Sequence, residues 1–166
     1  MRYSIYLFVL TCFFASCKSD SAVEDCTNDA FDRGALLTNW ADNIIIPSYE
    51  LYVDELSSYK TAVATFVATP DIQNLEVVRT AWITAYTVWQ NVSIYEIGQA
   101  ELKNMRDYTN TFPVNTVLVE SNISTGNYDL SLSTNLDAQG FPAVDYLLNG
   151  VGTTDAEIIA VYATNG

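Results

Sequence analysis

The chain has 166 residues, of which 49% are hydrophobic and only 16% are charged, and its formal net charge is −13 at pH 7. This composition excludes a disordered acidic chain, because aromatic residues make up 13% of the sequence and can supply a core. The negative balance excludes nucleic-acid binding, which requires a basic surface. The length and the lack of an internal repeat predict a single folded domain.

The N-terminal residues have the pattern of a bacterial lipoprotein signal peptide. Met1-Arg2 is a short basic start, and the apolar run 3–14 is too short to span a bilayer as a helix. The small residues Ala15-Ser16 directly precede Cys17, so cleavage there would leave Cys17 as an acylated N-terminus. An ordinary signal peptide, which also ends in small residues, is the alternative.

These boundaries define the predicted organisation. Residues 1–16 are the signal peptide, residues 17–30 an acidic tether and residues 31–166 the helical domain. Cys26 would be the one unmodified cysteine of the mature chain, so no internal disulfide is expected. Lipidation of Cys17 would anchor the protein to a membrane of the cell envelope. The outer membrane is the expected location, and its periplasmic and surface faces both stay open.

Helical spacing of apolar residues predicts a long helical segment from about Phe31 to Ala68. Pro47 interrupts this segment, and a proline inside a helix removes a hydrogen bond and kinks the chain. The segment is therefore either one kinked helix or two helices that meet near Ile46. The residues Thr69-Pro70-Asp71 are expected to end it.

The second predicted helix carries an unbroken apolar seam with steps of three and four residues. The seam consists of Leu75, Val78, Trp82, Ala85, Trp89 and Val92. Two tryptophans on one seam predict that this helix packs at the centre of a bundle. It is expected to run to about Met105, with Gly98 as a weak point.

The pattern becomes irregular beyond this helix. Pro113 is suited to the first turn of a short helix that ends near Asn122, and the polar stretch 124–137 predicts a loop. The apolar segment from Gly140 to Gly150 predicts the next helix, with a proline inside its first turn.

A capping box predicts one further helix near the end of the sequence. Thr154 and Glu157 have the spacing at which each side chain bonds the other residue's backbone N–H group. The sequence stops at Gly166, about three turns later. Because a bundle needs a partner for each apolar face, this stop predicts that the chain is truncated at its C-terminus.

Four segments, in order along the chain, carry a family resemblance. They are Asn39–Tyr49 with its proline and following aromatic, Val78–Trp82 with Trp89-Gln90 and Gly98, Phe112-Pro113, and Gly140–Gly150. Together they resemble the N-terminal half of imelysin-like proteins, the peptidase M75 family. The resemblance implies an all-α fold of two related helical bundles, of which this chain would supply the first.

The family's signature, Gly-x-His-x-x-Glu, falls on the segment that begins at Gly140. Pro142 stands at the histidine position and Asp145 at the glutamate position, and the chain contains no histidine. The usual zinc ligands are therefore lacking, and carboxylates alone suit a metal with oxygen ligands, such as iron or another divalent cation. Asp145 is the one candidate ligand, and a structural or partner-binding role for it is the competing interpretation.

Arg79 lies in the apolar stretch between Val78 and Trp82 and allows two interpretations. It is either a buried cation that meets a site carboxylate, such as Asp145, or a surface arginine on the outer face of its helix. The tryptophans are interpreted as core residues rather than as ligand-stacking groups.

Three functions stay open. The first is a lipid-anchored, non-catalytic binding or uptake accessory protein of the cell envelope, with the link to iron that the resemblance implies. The second is a metal-dependent peptidase of the M75 type. The third is a structural interaction domain whose partner is the missing C-terminal bundle or another envelope protein. The absence of histidine favours the first and third over the second.

Overall fold

The computed structural model describes residues 30–165, and every regular element in that range is helical. In chain order the elements are α1 (Arg33–Trp40), a π-helical turn (Ala41–Ile45), α2 (Ile46–Ala68), α3 (Ile72–Val92), α4 (Gln99–Leu102), α5 (Met105–Asn110), α6 (Thr116–Thr125), a 3-10 helix (Ser133–Ala138), α7 (Gly140–Asn149) and α8 (Asp155–Asn165). The predicted all-α fold is confirmed. The predicted signal peptide, the lipidation site Cys17 and nearly all of the predicted tether lie outside the described residues.

From Leu36 onward the chain forms one compact unit. Within residues 30–165, none of the helices combines the length and the hydropathy that a membrane crossing requires.

Pro47 lies within one continuous helical segment, because the backbone stays in the right-handed helical region from Arg33 to Ala68 and only the π-helical turn interrupts its regular pattern. The structure thus agrees with the first alternative, a single helix that is irregular at the proline. Pro47 occupies the first turn of α2, directly after a turn that is itself helical, so its missing N–H group removes one hydrogen bond from the segment. The π-helical turn Ala41–Ile45 lies immediately before it. In an uninterrupted α-helix the proline ring would press against the carbonyl of Asn43, and the wider π turn lies where that clash would occur.

α2 and α3 pack against each other as a helical hairpin, joined by a three-residue turn. Asp71 begins α3, because its carboxylate accepts a hydrogen bond from the backbone N–H of Asn74 at 2.8 Å. The predicted seam faces the core: five of its six residues are buried, and Trp82 is half-buried.

α3 ends at Val92 and does not continue to Met105 as predicted. In the turn that follows, Gly98 has φ +58° and ψ −118°, outside the helical region. The hydroxyl of Tyr49 donates to the carbonyl of Tyr95 at 3.1 Å and ties this turn to α2. The weak point predicted at Gly98 is therefore a complete break.

Pro113 does not open the next helix, contrary to the prediction. The structure begins α6 only after Asn115, whose side chain accepts a hydrogen bond from the N–H of Leu118 at 3.1 Å. A side chain that satisfies a free N–H group of the first turn is a stronger start signal than a proline with a fixed φ. α6 also continues to Thr125, past its predicted end.

The polar stretch 124–137 is only partly irregular, since its second half forms most of the 3-10 helix. Asn135 is buried there and has hydrogen-bond partners on two sides. Its amide donates to the carbonyl of Asp129 at 2.8 Å, and its oxygen accepts from the amide of Asn122 at 2.9 Å. A buried amide with satisfied partners can organise a polar segment that has no apolar period.

The predicted capping box of α8 is confirmed. The N–H of Thr154 donates to the carboxylate of Glu157 at 3.1 Å, and the N–H of Glu157 donates to the hydroxyl of Thr154 at 3.3 Å. The hydroxyl and N–H of Thr153 also donate to this carboxylate. These hydrogen bonds hold the pKa of Glu157 below its ordinary value.

Three groups of buried side chains form the core. The hairpin cluster consists of Ala62, Phe66, Leu75, Val78, Leu148 and Ile158. The aromatic cluster consists of Tyr52, Ala85, Trp89, Val92 and Phe141, with Trp82 and Tyr86 packed against it. A smaller group, Val119, Ala138 and Ala143, joins α6 and the 3-10 helix to α7. α7 contributes to all three groups and so holds the bundle together.

Candidate functional site

The candidate site is built around the start of α7, and Gly140 determines where that helix begins. Gly140 has φ +74°, in the left-handed region that favours glycine. A Cβ atom at this position would lie 2.2 Å from the carbonyl oxygen of Thr109. Only glycine therefore lets the N-terminus of α7 approach the end of α5 so closely, which gives this signature position a structural reason.

Pro142 lies in the first turn of α7, as predicted. The N–H groups of a first helical turn have no partner inside the helix, so a residue without N–H costs nothing there. The ring of Pro142 forms part of the wall of an open pocket.

This pocket has a volume of about 530 Å³ and lies where α3, α5 and α7 approach one another, together with the segment that follows α5. Its lining consists of the aromatic residues Trp82, Tyr86, Phe112, Phe141 and Tyr146, the amides Asn110 and Asn149, and Val114, Pro142, Asp145 and Gly150. The volume falls in the range of small-molecule sites, which are mostly apolar with a few placed polar groups.

The aromatic wall continues into the core. The rings of Trp82 and Tyr86 are stacked with centroids 5.2 Å apart, and Tyr86 stacks on Trp89 at 5.9 Å. Phe141 packs against Tyr86 at 5.0 Å, and the indole N–H of Trp82 donates to the carbonyl of Phe141 at 3.2 Å. Trp82 is therefore both a core residue, as predicted, and a pocket residue.

Asp145 lies on the exposed side of α7 and contributes the one carboxylate of the pocket. One of its oxygens accepts a hydrogen bond from the amide of Asn149 at 2.8 Å, one turn further along the helix. Within residues 30–165, no arginine or lysine forms an ion pair with Asp145.

Arg79 does not meet Asp145, so that part of the prediction is wrong. Its guanidinium donates from Nε and Nη2 to the carbonyl of Leu148, at 3.1 and 2.9 Å, and its Nη2 lies 2.8 Å from a carboxylate oxygen of Asp155. The side chain is 23% exposed, between the two alternatives from the sequence. A cation is stabilised at the C-terminal end of a helix, so Arg79 fastens the end of α7 to the start of α8.

Tyr146 connects the pocket to α6. Its hydroxyl donates a short hydrogen bond to the carboxylate of Glu120. This hydrogen bond raises the pKa of Tyr146 above its ordinary value.

The comparison with known proteins decides the family. The family model described as Imelysin (peptidase M75) matches residues 45–164. The chain belongs to the imelysin family. The resemblance inferred from the segments between Asn39 and Gly150 is thus confirmed.

A curated relative of this imelysin-family chain is the "Iron-regulated protein A" of Synechococcus elongatus. The two are 27% identical over 85 residues, which cover 48% of this chain and 24% of that protein. The match thus spans about a quarter of the relative's length. No solved structure gives a significant match to the chain.

The residues of this imelysin-family pocket do not fit a metal ion. Ions with oxygen ligands need several carboxylates or carbonyls around them, and Asp145 is the one acidic residue of the pocket. In the described part of the chain, no three residues among histidine, cysteine, aspartate and glutamate come together as a metal-binding group. Pro142, at the signature's histidine position, offers no donor atom.

Two of the candidate residues predicted from the sequence, Pro142 and Asp145, lie in one pocket. Most residues of the pocket wall were not predicted as site residues. Phe141 and Tyr146 lie within the same apolar segment, and Tyr86 lies one turn from Trp82, so helical spacing was a usable signal for them. Phe112 and Asn110 come from outside the regular pattern, and the sequence contains no signal for their approach.

Proposed function

We propose that this chain is a lipid-anchored, non-catalytic binding or uptake accessory protein of the cell envelope with a role in iron handling. The observation that supports the non-catalytic part most directly is the lining of the α7 pocket. It holds an aromatic wall and a single carboxylate, with Pro142 at the signature's histidine position. Such a lining suits ligand binding better than metal-assisted hydrolysis, which needs a bound ion with an open position.

The proposed link to iron comes from the family and from the name of the relative. That name describes a protein that iron regulates, and says nothing of iron as a bound ligand. We therefore assign this chain a role in iron handling without a metal ion held by Asp145. Deletion of the gene in its host should impair growth under iron limitation, and the Asp145→Ala variant tests whether the pocket is needed.

Catalysis is tested with the purified full chain and unfolded casein as substrate, in the presence of Zn²⁺ or Fe²⁺. We expect no hydrolysis above that of a buffer control. Hydrolysis that a chelator abolishes would overturn the non-catalytic assignment and support the peptidase.

The lipid anchor is tested by metabolic labelling of the full chain with an alkyne-tagged fatty acid. We expect labelling that the Cys17→Ser variant loses and that the Cys12→Ser variant keeps. Unchanged labelling in Cys17→Ser, or none in the unaltered chain, would exclude the proposed anchor.

A structural interaction domain is the second candidate, favoured by large apolar side chains that lie exposed between α3 and α6. Ile94, Leu102, Phe112 and Val117 are each at least 70% exposed. Exposed apolar side chains mark an interaction site when they form one patch, and the double variant below tests whether two of these four act together. Sedimentation of the purified chain should detect self-association that an Ile94→Ser, Leu102→Ser double variant reduces, and a monomer at all concentrations would argue against self-association as the use of this surface.

A further inference from the structure

We propose that the α7 pocket binds a small organic cation of the ammonium type. The argument rests on the pocket's aromatic wall, on Asp145 and on the hydrogen bonds that the pocket's own donors already make. Within the wall, Tyr86 is stacked between Trp82 and Trp89, and among the described residues no other ring stacks on Phe112 or Tyr146. The proposal depends on the binding part of the proposed function, and not on the lipid anchor or on iron.

The wall suits a cation whose charge is spread over methyl groups. Five of the pocket's residues are aromatic, and aromatic rings attract ammonium groups through their negative faces. Such a cation sheds water more readily than a metal ion does and needs no set of oxygen ligands. The feature that excludes a metal, a single carboxylate among rings, is therefore the one that favours an organic ammonium group.

The polar groups of the wall point to the same ligand class. The indole N–H of Trp82, the hydroxyl of Tyr146 and the amide of Asn149 already donate to acceptors within the protein. A ligand that relies on accepting hydrogen bonds would have to compete for these donors. A quaternary ammonium group accepts none, so it can enter without breaking them.

Two polar groups of the lining stay available for a ligand substituent. Among the described residues, the hydroxyl of Tyr86 and the side-chain amide of Asn110 make no hydrogen bond within the protein. They can contact a hydroxyl group carried on the cation, so an ammonium alcohol can use more of the pocket's polar groups than a bare tetraalkylammonium ion.

The charges around the pocket favour a cation over an anion as its ligand. Asp145 has no ion-pair partner in residues 30–165, and the chain as a whole carries a formal charge of −13. Both features attract cations and repel anions at the pocket mouth. The carboxylate is exposed, so a bound cation can lie beside it without either group being fully removed from water.

The test uses choline and its neutral isostere 3,3-dimethyl-1-butanol as probes, which have the same shape and differ in charge. Each is titrated into the purified full chain while tryptophan fluorescence, to which Trp82 contributes, and heat of binding are recorded. We expect saturable binding of choline that is about tenfold tighter than that of the isostere. Equal affinity for the two probes, or no saturable binding of choline, overturns the proposal.

Variants separate the pocket from the general negative charge. Asp145→Asn should weaken choline binding about tenfold, while Asp42→Asn, which removes an exposed carboxylate from the π-helical turn, should leave it unchanged. Phe112→Leu should also weaken it, and because Phe112 is 81% exposed this change leaves the core intact. An equal loss in Asp42→Asn and Asp145→Asn means attraction by net charge alone and refutes the site.

The outcomes also separate this inference from the proposed function. Absence of choline binding, with fatty-acid labelling at Cys17 and no hydrolysis, refutes the ligand class alone. Chelator-sensitive hydrolysis together with choline binding refutes the non-catalytic assignment alone.

Discussion

The hairpin cluster and the aromatic cluster both draw side chains from α2, α3 and α7, but they differ in what lies next to them. Leu75 and Val78 come from the first half of α3, and Ala85 and Trp89 from its second half. The buried members of the first cluster are covered by Ile158 of α8, and a second pocket of about 740 Å³ lies at its edge against Val151 and Tyr162. The second cluster continues through Trp82, Tyr86 and Phe141 to the candidate pocket. One continuous apolar seam thus supplies both a buried core and part of the wall of the candidate site.

The difference between the two clusters lies in the chemistry of the side chains. The buried members of the hairpin cluster are aliphatic apart from Phe66, so nothing in them requires water or a polar partner. The aromatic cluster contains tyrosine and tryptophan, which combine an apolar body with a polar tip and suit places where one side is dry and the other wet. Helical spacing locates the core, and the tyrosine and tryptophan residues in the second half of α3 lie where that core meets the candidate pocket.

The largest expected effect is in the hairpin cluster. Phe66→Ala should lower the free energy of unfolding by about 4 kcal/mol, because it removes a side chain that is 1% exposed and leaves a cavity. Urea unfolding followed by far-UV circular dichroism measures the change. Val67→Ala, at the neighbouring exposed position, should change stability by less than about 0.5 kcal/mol.

Choline binding by the folded fraction of Phe66→Ala should stay unchanged, because Phe66 does not line the pocket. Weakened binding in this variant would show that the hairpin cluster and the pocket are energetically coupled, and the two clusters could then not be treated as independent.

The second effect is at the start of α7, at Gly140. Gly140→Ala should lower the free energy of unfolding by about 3 kcal/mol, from the unfavourable positive φ and from the clash of its Cβ with the carbonyl of Thr109. Urea unfolding again measures the change, and choline titration should show weaker binding because α7 must shift. Gly126→Ala is the matched control: Gly126 has φ +61°, and a Cβ added there would meet no atom within 4 Å, so the cost should be about 1 kcal/mol. Similar costs for the two variants would mean that the positive φ alone, and not the close approach of α5, accounts for the requirement for glycine at position 140.

The third effect tests how α7 is fastened to α8. Arg79→Gln should lower the free energy of unfolding by about 1.5 kcal/mol, because the carbonyl of Leu148 and the carboxylate of Asp155 lose a charged donor. Arg106→Gln is the control, since Arg106 pairs with Glu96 while 54% exposed and should cost under about 0.5 kcal/mol. Thermal unfolding at low and high salt measures both, and equal small losses would reduce Arg79 to an ordinary surface arginine.

The sequence was sufficient where a local signal determines local structure. The seam of α3, the irregularity before Pro47 and the capping box of Thr154 and Glu157 each depend on residues that lie close together in the sequence. The structure agrees with all three. The family signature likewise located the start of α7 at Gly140.

The sequence failed where distant segments decide the outcome. The partner of Arg79 depends on how α7 ends relative to α8, and 69 residues separate Arg79 from Leu148. The approach of Phe112 and Asn110 to the pocket depends on α5 and on the segment after it, which have no apolar period. Asn135 is a polar residue in a polar stretch, so the sequence does not indicate that it is buried. Its hydrogen bond to the carbonyl of Asp129 shows how its amide is satisfied there.

The smallest effect at neutral pH concerns Tyr52 in the aromatic cluster. Burial, with a smaller contribution from the neighbouring Tyr49, raises the pKa of Tyr52 from 10.0 to about 12. Between these values the unfolded chain loses the phenol proton and the folded chain keeps it, so the unfolded state binds fewer protons. The contribution of Tyr52 to the free energy of unfolding is therefore fully present below pH 10 and is lost as the pH rises towards about 12.

Tyr52→Phe should leave stability at pH 7 nearly unchanged and make the decline above pH 10 shallower. Urea unfolding at a series of pH values measures the slope, and Tyr128→Phe, at an exposed position, should leave that slope as it is. A slope unchanged by Tyr52→Phe would mean that water reaches this phenol. The aromatic cluster would then be open to solvent beyond the pocket wall, and its contrast with the hairpin cluster would extend into the core itself.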